Sequence, residues 1–202
     1  MSKTFIKAVL AGGAISLGGI ANIFTQNKIV GSLFFTIGLF LVLNYDLNLF
    51  TGKICYITDN KSNYWKDLVV IYFGNFVGAF LVGQSLSLSV NSEITTNYLP
   101  IIIERVERGF EKSFVLAIFC NILIFVAVDQ YKTADVEWKK ILALFFGVST
   151  FVLCGFEHCV ADMFYLSFCN YWTIDSILFL FFVTLGNICG ALIAQFSKKI
   201  TQ

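Results

Sequence analysis

The chain has 202 residues, 57% of them hydrophobic and only 13% charged, with a formal net charge of +1. A soluble domain carries about a quarter charged residues, and here the charges cluster in short polar stretches between long apolar runs. That pattern excludes a single soluble core and offers no basic surface for nucleic acid; it predicts an all-α membrane protein whose first partner is the lipid bilayer.

In chain order, six spans are expected, roughly 4–24, 29–58, 67–90, 110–131, 141–169 and 174–197. The first run, Phe5 to Phe24, is long enough to remain as a span, so no cleavable signal peptide is expected. The connections are short, and the longest polar one, around 91–109, holds the only proline, Pro100. With the N-terminus inside, inner segments carry ten lysines and outer segments carry Lys28, Arg105, Arg108 and Lys112. This bias predicts a multi-pass protein of the cytoplasmic membrane with both termini cytoplasmic.

Two of the spans are abnormal. The second has an apolar run of only 15 residues, Ile29 to Leu43, before Asn44-Tyr45-Asp46-Leu47-Asn48 and then Leu49-Phe50-Thr51-Gly52. At ~1.5 Å per residue such a run is too short for a ~30 Å core, so the chain is expected to break within the membrane and continue. The fifth span is interrupted by Gly155-Phe156-Glu157-His158. Lipid cannot satisfy an open backbone, so both breaks must face protein or a water-filled cavity. Gly74-Asn75-Phe76-Val77-Gly78-Ala79 in span three is echoed by Gly186-Asn187-Ile188-Cys189-Gly190-Ala191 in span six, and Phe50 and Phe156 are separated by nearly the same interval. Halves of three spans each must have opposite topology, so the reading is an inverted 3+3 repeat within one domain over 1–202, with halves of about 1–92 and 100–202. Broken spans at matching places point to a substrate path.

His158 is the only histidine, with Glu157 before it and Asp162 one turn later, all inside an apolar span. Intramembrane ionisable residues are costly and mark pathways or relays. A pore-lining role is the favoured reading for His158, against that of a neutral brace. Glu157 is expected to brace the loop or a subunit contact, and Asp162 to be structural. Thr51 lies at the first break, and a two-fold axis in the membrane plane would bring it to His158 near the midplane. One polar site in a ring of Phe and Leu suits a small, weakly hydrated ion or its conjugate acid, whereas a sugar or amino acid needs several converging polar groups. Helix starts at the breaks favour anions.

Cys55, Cys120, Cys154, Cys159, Cys169 and Cys189 all sit in apolar runs without CxxC spacing and read as small packing residues. No metal, haem or iron–sulfur ligand set is expected, no cofactor, and no enzyme activity.

Gly155-Phe156-Glu157-His158-Cys159-Val160-Ala161-Asp162-Met163-Phe164 resembles the signature of the formate/nitrite transporter family. Leu49-Phe50-Thr51-Gly52, Phe119-Cys120-Asn121-Ile122-Leu123-Ile124 and the two Gly-Asn motifs are similar to that family's in the same order, and the chain looks most similar to its hydrosulfide channel branch. The resemblance implies an aquaporin-like fold and a homopentamer with one anion pore per protomer. It implies that Thr51 and His158 form the central polar pair, Leu39 and Phe151 the cytoplasmic constriction, and Leu49 and Phe50 the outer one. Asn121 and Asn187 are implied as pore-side polar residues. The family usually has a lysine where Arg105 stands, sixteen positions before Asn121, and an asparagine where Asp162 stands. The resemblance implies a substrate of the hydrosulfide, formate and nitrite class, carried by a passive channel or by a proton-coupled transporter using the same path.

Overall fold

The computed structural model describes residues 2–201, and all regular structure among them is helical. Four helices are long and apolar enough to cross a bilayer: α1 (Lys3–Phe24), α4 (Tyr64–Ser89), α6 (Phe110–Thr133) and α9 (Ile174–Thr201). A fifth crossing segment consists of α7 (Glu137–Cys154) and α8 (Cys159–Phe168), bent by 53° at their break. The shorter apolar α2 (Lys28–Asn44) is followed after a break by α3 (Phe50–Ile54), and a single 3-10 turn, Ile57–Asp59, closes that segment.

The two breaks use one backbone device. At the end of α2, Asp46 adopts a left-handed conformation (φ 47°), and the N–H groups of Asp46 and Leu47 donate back to the carbonyls of Leu43 and Val42. At the end of α7, Gly155 does the same (φ 67°), with Gly155 and Phe156 donating to Val152 and Phe151. This is the paired closure that satisfies the last carbonyls of a helix and turns the chain out of it. Aspartate tolerates the left-handed region better than most side chains, so a break can form at Asp46 without glycine.

The polar connection over 91–109, for which no element was expected from the sequence, contains a 16-residue helix, α5 (Ser92–Glu107), with Pro100 inside it. Its buried residues, Ile102 and Val106, lie four apart and hold one face down, while Gly109 at φ 104° turns the chain into α6. Proline removes one helical donor and disfavours a helix interior, but that burial and the anchoring of Arg105 described below outweigh it.

The same packing order recurs in both halves. α1 packs on α2 and α4, and α6 packs on α7 and α9; α2 and α7 pack on each other. Each short helix is lodged against the far half, α8 on α4 and α3 on α9. Small residues make the long contacts possible. A methyl group on Gly78 would collide with the Val9 carbonyl of α1, and one on Gly190 with the Ile118 carbonyl of α6. Large apolar side chains such as Phe34, Phe40, Phe73, Phe146, Phe181 and Phe196 point outward and are exposed, as a protein solvated by lipid requires.

Candidate functional site

Two asparagines hold the short helices in place. Asn75 of α4 accepts the Phe50 N–H at 2.8 Å and donates to the carbonyls of Asn48 (2.8 Å) and Ala8 (2.7 Å). Asn187 of α9 accepts the Cys159 N–H at 2.9 Å and donates to the carbonyls of Glu157 (3.0 Å) and Ala117 (2.9 Å). Each amide thus ties the first N–H of a short helix, a carbonyl of the preceding break and the first helix of its half. Both side chains are buried. Asn187, expected at the pore side, has its amide fully engaged by backbone groups. Asn121 is buried beside the first short helix, where it donates to the Thr51 carbonyl at 3.3 Å.

This frame brings Thr51 and His158 together. Thr51 Oγ1 lies 2.9 Å from His158 Nε2, and both residues are buried. His158 is also the N-cap of α8: the Ala161 N–H donates to Nδ1 at 3.2 Å. A nitrogen that accepts a hydrogen bond carries no proton, so the proton of the neutral ring is on Nε2, which donates to Thr51 Oγ1. The Thr51 hydroxyl proton is then left without a protein acceptor among the described residues. The ring itself stacks on Phe151, with centroids 5.7 Å apart and planes at 16°.

Two cavities lie near the breaks that carry the pair. One is lined by Leu39, Val42, Leu49, Val128, Asp46, Lys53 and Lys132, beside the first break. The other reaches His158 and is walled by Phe35, Phe151, Tyr98, Lys28, Glu104, Arg105 and Arg108. The family resemblance implied a pairing of Leu39 with Phe151 and of Leu49 with Phe50; the cavities group these side chains differently. Leu39 and Leu49 share the first cavity, whereas Phe151 lies at the second, packed edge-on against Phe35 at 5.7 Å. Phe151 is drawn there because it stacks on the histidine that starts α8. Phe50 lines neither cavity; its ring packs edge-on against Tyr72 at 5.1 Å, because Asn75 fixes the start of α3 against α4.

Charged groups behind the second cavity form a buried cluster. Glu157 accepts hydrogen bonds from Arg105 on both carboxylate oxygens and from Arg108 at 3.0 Å. Asp162 lies 2.9 Å from a guanidinium nitrogen of the same Arg105. Glu157 is therefore a brace, and α5 delivers two cations to the break. The sequence reading placed Arg105 in a supporting role but passed over Arg108, Phe35 and the bracing role of Asn75. The first of these was signalled by its position one helical turn after Arg105, and Asn75 by its match to Asn187. Near the first cavity Asp46 is exposed, with the half-buried Lys7 and Lys53 at 2.7 and 3.9 Å from it.

The family model described as Formate/nitrite transporter matches residues 1–196 of this chain. The chain belongs to the formate/nitrite transporter family. Similar curated relatives include the formate channel FocA of Escherichia coli, 30% identical over 80% of this chain and 64% of that protein. FocA of Haemophilus influenzae is 26% identical over the same shares. A probable formate transporter of Methanothermobacter thermautotrophicus is 28% identical over 96% of this chain and 86% of the relative. The chain thus spans under two thirds of the length of the FocA proteins it matches. Among solved structures, a pentameric formate channel with formate bound superposes with a TM-score of 0.84 at 24% identity, covering 98% of this chain and 96% of that one. An ion channel described as belonging to the FNT family superposes at 0.81 with 21% identity, over 98% and 88% of the two chains. The fold of this family member is therefore that of these channels, and it is a multi-pass membrane protein.

Proposed function

We propose that this protein is a channel for small monovalent anions of the formate, nitrite and hydrosulfide class, with one pore per protomer of a homopentamer in the cytoplasmic membrane. The pore runs from the arginine-walled cavity past Thr51 and His158 to the cavity lined by Leu39, Leu49, Lys53 and Lys132. Both termini lie on the cytoplasmic side, so the arginine-walled mouth faces outward. The six spans form an inverted repeat, supported by the matched closures at Asp46 and Gly155 and the matched asparagine braces.

The observation that carries the reading is the buried Thr51–His158 pair near two cavities lined with basic side chains. Basic side chains outnumber acidic ones in each lining, which favours anions over cations at the walls. The apolar walls of Leu39, Leu49, Phe35 and Phe151 exclude anything that retains a full hydration shell. An anion in transit then finds a single neutral donor, the Thr51 hydroxyl, oriented by the Nε2–H of His158. One donor selects for small size and single charge, and it is weak enough to release the ion. A pore of this kind does not hold a substrate with many polar groups.

The test is a flux panel in proteoliposomes: formate, nitrite and hydrosulfide against acetate, glycerol and urea. The expected outcome is passage of the three small anions above the others. Passage of the neutral solutes at comparable rates would overturn the reading. Current carried by anion flux alone marks a channel; strict co-movement of a proton marks the transporter alternative. A native mass measurement giving a stable monomer would remove the pentamer while leaving the pore.

A further inference from the structure

Four charged groups meet where α5 lies over the start of α8. Glu157, wholly buried, engages Arg105 with both carboxylate oxygens and Arg108 with one, so it anchors both arginines by itself. Asp162 is 1% exposed and 2.9 Å from Arg105, yet neither of its carboxylate oxygens makes an aligned hydrogen bond. An acidic brace engages its partner through directed N–H···O bonds. Asp162 has the proximity without the alignment. Arg105 is the link between the two regions, since it lines both the arginine-walled cavity and the small cleft that contains Asp162. The other charged groups of this mouth are Lys28, Arg108, Glu104 and Glu157. With Asp162 ionised the three cations and three carboxylates balance; without it the mouth carries one net positive charge.

We propose that Asp162 is a specificity-determining residue of this mouth: a buried carboxylate that offsets the potential of Arg105 and so lowers the affinity of the vestibule for anions. The inference rests on the pore reading above. A negative charge behind the arginine weakens the attraction of any anion entering the cavity while leaving uncharged species, including the conjugate acid of the same anion, unaffected. Asp162 thereby shifts the balance at this mouth away from the anion. A unit charge roughly 10 Å from the anion, at an effective dielectric of about 20 and with partial screening by salt, changes its local concentration about three- to tenfold.

The experiment measures formate uptake into proteoliposomes for the parent, Asp162→Asn and Asp162→Ser, as half-saturating concentration and maximal rate at low and high ionic strength. Both variants should lower the half-saturating concentration about three- to tenfold, and high salt should shrink the gain. A residue with only a packing role lowers the maximal rate without this salt-dependent shift. An unchanged half-saturating concentration in both variants means that the carboxyl carries no charge in the folded protein and overturns the proposal. A rise does the same. So does failure of both variants to assemble on size-exclusion chromatography, which makes Asp162 a scaffold residue. Absence of flux of any of the three anions in the parent overturns the pore reading, and this inference with it, and is distinct from failure of the variants alone.

Discussion

His158 has two tasks that one pair of substitutions separates. In His158→Ala the α8 N-cap is lost, at about 1 kcal/mol. The buried Thr51 hydroxyl loses its partner, at about another 1 kcal/mol. The void left by a ring that is 1% exposed and stacked on Phe151 costs about 2 kcal/mol more. Together the expected loss is about 4 kcal/mol, which at this chain length lowers the melting temperature by about 10 °C. His158→Asn retains an N-cap acceptor of the best class and fills part of the space, so its loss should stay below about 2 kcal/mol. Thermal unfolding in detergent reads the first difference. Flux against pH in proteoliposomes reads the second, because asparagine caps the helix but cannot exchange a proton. To become an imidazolium, His158 must take a proton on Nδ1 and release the Ala161 N–H, so proton exchange is coupled to the start of α8. If alanine and asparagine prove equally stable, the capping argument fails. If parent and His158→Asn give flux–pH profiles of the same shape, His158 is a brace and donor only, and proton exchange at this residue is excluded.

The asparagine braces make three backbone hydrogen bonds each, in matching geometry, so Asn75→Ala and Asn187→Ala should destabilise the protein by similar amounts, about 3 kcal/mol each; melting temperatures that differ severalfold in their drop would show that the two breaks are not held alike. Leu39→Ala and Leu49→Ala should widen one cavity and Phe151→Ala the other, raising flux and admitting acetate, as read by the same flux panel; unchanged selectivity in all three would show that these residues do not set the size limit.

The helices and both breaks were legible because a membrane imposes a length requirement that the 15-residue run before Asn44 fails to meet, and because Gly155 and Asp46 sit where a helix must end. The contact of Thr51 with His158 was expected from a repeat in which a two-fold axis would relate the two breaks, and the two side chains meet at 2.9 Å. Three features were not legible. The helix over Ser92–Glu107 was hidden by Pro100, although Ile94, Tyr98, Ile102 and Val106 recur every four residues along it. The pairing of constrictions depends on the rotation and depth of α2 and α7, which no spacing along one chain encodes; Phe35 rather than Leu39 therefore faces Phe151. The bracing role of Asn187 was masked by its type, because an intramembrane amide reads equally well as a pore group or as a partner for an open backbone. In the structure all three of its hydrogen bonds involve main-chain atoms.

The two halves share a backbone frame but differ in the side chains it carries, and the difference explains why there is one polar site and not two. Leu49 and His158 occupy the same place, directly before the short helix that an asparagine holds. Leucine cannot cap, and α3 begins without a side-chain cap; histidine caps α8 through Nδ1 and presents Nε2 to the other half. Thr51, inside the first turn of α3, receives it. A second histidine at position 49 would place another titratable ring in the same narrow passage, and an ion held by two such groups would leave slowly. Conduction requires binding favourable enough to enter and weak enough to leave. Under the pore reading proposed above, a frame with a capping histidine at one break and leucine at the other satisfies both conditions: it supports both half-helices while setting a single hydroxyl donor between apolar walls.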